Sequence, residues 1–196
     1  MDLDRFEGFD ASALSGPAGV SLTARLERWA AEARVDEAAR GRSRERWLRR
    51  QAEEESTVAG VLADLLEAGT GVTVHTRAGR RHTGPVRAMG ADFVALAAPG
   101  GAVLIALAAV ASLRTRPGAP AVLGDRAAVA TLLLADVVAG LAAEGERVLV
   151  VTADGESLAG ELRSVGRDVA LVRGGGDPPV ACYVPLGAVS EVVVDL

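Results

Sequence analysis

Residues Val72 to Leu96 read VTVHTRAGRRHTGPVRAMGADFVAL, and Val148 to Val172 read VLVVTADGESLAGELRSVGRDVALV. At a constant offset of 76, Thr76 pairs with Thr152, Gly79 with Gly155, Gly84 with Gly160, Arg87 with Arg163, Gly90 with Gly166 and Asp92 with Asp168. Four of these six identities are glycine or aspartate at turn-type positions. An internal duplication follows. Within each copy apolar residues alternate with polar ones, the period of a strand.

Working outward, each copy resolves into five short strands. In the first they are expected at 72–77, 82–89, 92–97, 102–107 and 110–115, and in the second at 146–153, 157–165, 168–173, 180–185 and 189–195. Beyond the Gly174–Pro179 connection the alignment resumes at an offset of 79, pairing Leu107, Ala109 and Val110 with Leu186, Ala188 and Val189. A helix is expected before each set. The one before the second copy spans 126–143, with Asp125 as N-cap. Thr115–Pro120 ends the first copy, and 117–125 reads as a linker. An open sheet of five such strands has to hide its edges, so each copy is expected to curl and close on itself.

Upstream, residues 1–19 are acidic, lack periodicity and read as a disordered tail. Residues 20–56 read as a helical arm. Ser21 can cap a helix whose Leu22, Leu26, Trp29 and Ala33 form one apolar stripe. Gly41 is expected to interrupt it, and Ser43 to cap a second helix running to Gly69.

The chain has 196 residues and six aromatics, so small Ala, Val, Leu and Gly fill its cores. All 21 basic residues are arginine, with no lysine, no asparagine and one isoleucine. That bias tracks a GC-rich, bacterial gene and carries no functional message. A lone cysteine, Cys182, excludes an intrachain disulfide and any multi-cysteine metal site. No signal peptide and no long apolar run is present, so a soluble cytoplasmic protein is expected, without a membrane. The net charge of −5 is uneven: residues 57–117 carry six arginines against three acids, and 130–196 carry four against ten.

A helix followed by five short, bent strands resembles the Sm-like fold, the family of LSm proteins and bacterial Hfq. The resemblance covers 57–115 and 130–195. The turn glycine and in-strand glycine of the family's first motif, with the apolar residue after them, match Gly79, Gly84 and Val86, and Gly155, Gly160 and Leu162. LAAVASLR and LGAVSEVV are similar to the turn leading into its fifth strand. The family's aspartate and asparagine positions hold Gly90 and Val94, and Gly166 and Ala170. The Arg-Gly pair that Sm and LSm members carry before the last strand, and the Lys-His pair of Hfq, do not occur at that place, so the family's RNA-pocket residues are not carried over. The resemblance implies an α+β protein: a helical N-terminal arm (20–56), then two tandem Sm-like barrels (57–116 and 126–196), each with its leading helix. It also implies rings, three tandem copies making six barrels, with a monomer or dimer as the alternatives.

The first hairpin, HTRAGRRHTG, is the candidate site. His75, Arg77, Arg80, Arg81 and His82 cluster at a tight turn in the basic copy, and arginine forks suit phosphate oxygens. The second copy has Val151, Ala153, Glu156, Ser157 and Leu158 there, so the fold does not require the basic set. A secondary basic patch is Arg42, Arg46, Arg49 and Arg50, with Trp47 able to stack on a base. No nucleophile elbow, phosphate loop or metal-ligand spacing appears. No enzyme, cofactor, metal or small-molecule substrate is expected. The leading expectation is a nucleic-acid-binding, regulatory protein that takes RNA rather than duplex DNA. The alternative is a structural module that binds a protein partner or its own copies.

Overall fold

The computed structural model describes residues 21–127 and 130–195. The disordered tail read for 1–19 lies outside them. The chain divides between Gln51 and Ala52 into two units. The first is built on α1 (Leu22–Glu54), in which no side chain is buried. Ser21 starts it, its Oγ accepting from Ala24 N at 3.3 Å. Gly41 does not interrupt it. A mid-helix glycine costs only about 1 kcal/mol, and the flanking arginine, alanine and glutamate are good helix formers. The helix ends instead at Glu55–Thr57, and α2 (Val58–Glu67) starts afresh with Thr57 as N-cap, its Oγ1 accepting from Gly60 N at 2.9 Å.

The second unit holds ten strands: β1 (Gly71–Thr76), β2 (Arg81–Met89), β3 (Phe93–Ala98), β4 (Gly101–Ala106), β5 (Val110–Thr115), β6 (Arg147–Thr152), β7 (Ser157–Val165), β8 (Val169–Gly174), β9 (Ala181–Pro185) and β10 (Val189–Asp195). They form one antiparallel sheet in the order β5-β1-β2-β3-β4-β10-β6-β7-β8-β9. Two separate barrels, each with its helix, are therefore not what the chain builds. The reason lies at the edges. Instead of closing on itself, the first copy offers β4 to the second copy's β10, with Ile105 opposite Glu191, Leu104 opposite Val192 and Val103 opposite Val193. The backbone groups that closure was expected to satisfy are satisfied across the duplication.

The duplication itself is visible bond by bond. Thr76 N donates to Arg80 O and Thr152 N to Glu156 O; Arg77 N to Ala109 O and Ala153 N to Ala188 O; Leu107 N to Asp92 O and Leu186 N to Asp168 O, all at 2.8–3.0 Å. Each copy carries a bulge in its long second strand, where the ladder skips Arg87 and Arg163. The extra residue bends the strand. Gly79 and Gly155 have φ of 78° and 92° and so turn the hairpins.

Two apolar clusters form the core. One gathers Leu62 and Leu65 of α2 with Val72, Val74, Val86, Val94, Leu96, Val103 and Ile105. The other gathers α3 (Leu134–Glu144) and the second copy, and it takes in Phe93, Ala95 and Leu104 of the first. β3 and β4 are thus covered on both faces, which is why both read as unbroken apolar runs.

The helix expected at 126–143 begins only at Leu134, and Asp125 does not cap it. Residues 121–126 run along α2: Gly124 N donates to Asp64 Oδ2 and Gly124 O accepts from Thr57 N, both at 2.9 Å. Arg126 pairs with Asp64 and Glu67. Farther on, Leu132 O accepts from Ala91 N at 2.8 Å. These tertiary bonds hold residues 121–126 and Leu132 outside any helix. The start of α3 is fixed by two carboxylates, Asp136 accepting from Leu133 N at 3.0 Å and Asp92 from Leu134 N at 2.7 Å. Asp92 belongs to the first copy, so it pins the second copy's helix.

A Cβ on Gly84 would lie 1.9 Å from Ala97 O, and one on Gly160 2.3 Å from Arg173 O. Nothing lies within 4 Å of a Cβ on Gly140 in α3. In urea unfolding, Gly84→Ala and Gly160→Ala are expected to lose about 2 kcal/mol or more as backbone is forced apart. Gly140→Ala is expected to gain roughly 0.5–1 kcal/mol.

Candidate functional site

The first hairpin is set by β1, β2 and a turn closed through Gly79 N to Thr76 O at 3.0 Å. Strand pairing places Val74 opposite His82 and His75 opposite Arg81. Because opposite residues share a face, the five predicted side chains divide. His82 lies with buried Val74, while His75 and Arg81 lie on the other face. Arg77 is exposed at the turn.

Arg80 and His82 meet a carboxylate. Arg80 Nε stands 2.7 Å, and His82 Nε2 2.9 Å, from Glu191 Oε1. Glu191 sits in the middle of β10, between Ile105 on β4 and Val151 on β6, and its side chain is 0 % exposed. These are close charge contacts rather than aligned hydrogen bonds, since neither Nε2 nor either carboxylate oxygen has a hydrogen bond of regular geometry. An ionised carboxylate buried this way is costly without a compensating cation. The Arg80 guanidinium supplies one. Two of the five predicted residues are therefore engaged across the duplication, on the strand that joins the two copies.

Glu191 is the residue that reading for basic ligands passed over. The signal was present: VSEVVVD carries an acid, Glu191, in its interior, directly before three valines. The duplication sharpens it. Ser112 stands at the matching place in the first copy, and Glu156 and Leu158 match Arg80 and His82 in the second. The acid and its two partners thus occur together once, at the junction.

The secondary patch lies on α1, in the other unit. Arg42, Arg46 and Arg49 share one exposed face with Glu45, and Arg50 follows round the helix. Arg46 Nε donates to Arg42 O at 3.3 Å. Cys182 is half-buried and packs on the second core cluster.

A cleft of about 480 Å³ in the second unit lies between the copies. It is lined by Ala91, Asp92, Leu107, Leu134, Val138 and Leu186, among others. Its one acid is already bonded to Leu134 N. Elsewhere, the Thr152 hydroxyl donates to Asp154 and holds its carboxyl below the usual range, helped by backbone N–H groups. No helix among the described residues is long and apolar enough to cross a membrane. No family model matches the chain, and no curated protein matches it.

Removing Arg80 strands Glu191. Arg80→Ala is expected to cost about 2 kcal/mol, below the roughly 3–5 of a fully buried pair because Arg80 is 38 % exposed. Arg80→Met with Glu191→Met should recover most of that loss, and Arg81→Ala should stay within ~0.5 kcal/mol. Chemical denaturation of the four proteins measures the set. For Asp154, the depressed folded pKa means its contribution is present above the ordinary carboxylate pKa and is lost as pH falls through the folded value. Thr152→Val should move that titration upward, as followed by NMR of the Asp154 carboxyl carbon.

Proposed function

We propose that this chain is a non-enzymatic, cytoplasmic interaction module that associates with copies of itself by adding strands to the open edges of its sheet. One comparison of matched positions carries the reading. Leu104 on β4 is 6 % exposed beneath the neighbouring copy, whereas Tyr183, its counterpart on β9, is 71 % exposed. β9 and β5 are the outer strands of the sheet. They are the counterparts of β4 and β10, which pair inside the chain. Strand addition at such an edge uses main-chain hydrogen bonds for affinity and alternate side chains for specificity. Val180, also exposed, extends the apolar edge beside Tyr183. The resemblance to Sm-like proteins enters here as a proposal about descent: each five-strand unit derives from one small ancestral sheet.

The nucleic-acid reading keeps a narrower support, the exposed Arg77 and Arg81 at the hairpin and the arginine face of α1. The use of Arg80 and His82 inside the fold counts against the hairpin as a phosphate site.

Light scattering over a concentration series separates the two. The wild-type mass should rise with concentration past that of a dimer, and Val180→Lys with Tyr183→Lys should stop the rise at a dimer, because edge charges block strand addition. Identical series for both proteins would sink the edge reading. Titration into labelled single-stranded RNA at ~50 and ~200 mM salt should give no binding; tight binding that weakens steeply with salt would favour the nucleic-acid reading instead.

A further inference from the structure

α1 is a 33-residue helix in which no side chain is buried. At about 1.5 Å per residue it is ~50 Å long. Helices of this kind draw most of their stability from packing one face. At 100° per residue, one face carries Leu22, Leu26 and Trp29 near its start, then Glu37 and Arg40, then Arg44 and Trp47. The two tryptophans are 53 % and 62 % exposed. The order along that face is apolar, acidic, basic, apolar.

That order is self-complementary in one direction only. Side by side in parallel, two copies would set Glu37 against Glu37 and Arg40 against Arg40. Reversed about a centre between residues 38 and 39, Glu37 of each copy meets Arg40 of the other. In the same register Ala33 meets Arg44, Ala30 meets Trp47 and Trp29 meets Leu48, another exposed apolar residue. The small Ala30 then faces the large Trp47, a size match that lets the two helices interdigitate there. We infer that α1 is a dimerisation arm whose occupant is α1 of a second copy, packed antiparallel with Glu37 opposite Arg40. The contact is isologous, so it closes at two chains. It is independent of the sheet edges.

The test uses the full chain. Sedimentation equilibrium should show a dimer in which the edge variant Val180→Lys with Tyr183→Lys still takes part, which separates this contact from strand addition. Glu37→Arg alone or Arg40→Glu alone places like charges together twice in the symmetric pair, and each should weaken the dimer about tenfold or more. The double variant Glu37→Arg with Arg40→Glu should restore it, a rescue that mere loss of structure would not give. Circular dichroism checks that every variant keeps its helix. Direction is read by disulfide trapping in a Cys182→Ser background. Ala33→Cys mixed with Arg44→Cys should cross-link to each other and not to themselves. A wild-type chain that stays monomeric once edge pairing is blocked, single variants that dimerise like wild type, or like-with-like cross-links would each overturn the inference.

Discussion

An antiparallel sheet leaves a row of unpaired backbone groups at each edge, and the rest of the structure follows from how β4 disposes of its own. Val103, Leu104 and Ile105 make that edge apolar, so exposing it would cost both hydrogen bonds and hydrophobic area. Pairing with β10 removes both costs at once. It also fixes what lies around it. β3 and β4 become interior strands with a core on each face, and α3 is drawn against Phe93 and Leu104. Asp92 is brought to the first N–H of that helix. None of these contacts would survive separation of the two copies.

The same pairing explains a buried charge. Position 191 lies on a strand flanked on both sides, and its side chain points to the face that packs against the first copy, where it is fully buried. A carboxylate there is tolerated because the neighbouring hairpin turns Arg80 and His82 toward it. The positive balance of the first copy and the negative balance of the second therefore do not act only as separate surfaces. Part of that difference is settled internally, between the copies.

Much of this was legible in the residues and some was not, for reasons that can be named. Alternation located most of the strands to within a residue or two, because an amphipathic face is a local property, while the unbroken apolar runs of β3 and β4 were bounded by the turn residues around them. Gly79, Gly84, Gly155 and Gly160 marked turns and close approaches, because a Cβ at those places has nowhere to go or the backbone has the wrong hand. Edge disposal was not legible. Closing on itself and pairing with the other copy satisfy the same backbone groups, and nothing in a strand's own pattern distinguishes them. The late start of α3 was hidden similarly: the apolar run after Asp125 suits a helix, and it is bonds from distant residues, Asp64 and Glu67 to Arg126 and Ala91 to Leu132, that hold described parts of it outside one. Gly41 misled in the opposite sense, since one weak residue in a long run of strong helix formers does not outweigh its neighbours. In the hairpin the basic cluster was seen, but its buried counter-charge lay more than a hundred residues away.

Duplication itself creates the problem that Glu191 addresses. Two identical copies would present two identical β4-type edges and two identical β10-type edges, and each edge could take either partner. The chain breaks that degeneracy chemically. At the inner junction an acid on β10 faces a guanidinium and an imidazole; at the outer pair of edges the matching residues are Ser112, Glu156 and Leu158. A β10-type strand carrying a carboxylate and set beside Glu156 would meet an acid rather than a cation. Specificity is then a difference between a compensated buried charge in the right pairing and an uncompensated one in the wrong pairing. A buried ion pair is a poor source of net stability. It is a good means of choosing between two otherwise equivalent edges, and that choice is what a tandem repeat built from edge-pairing units has to make.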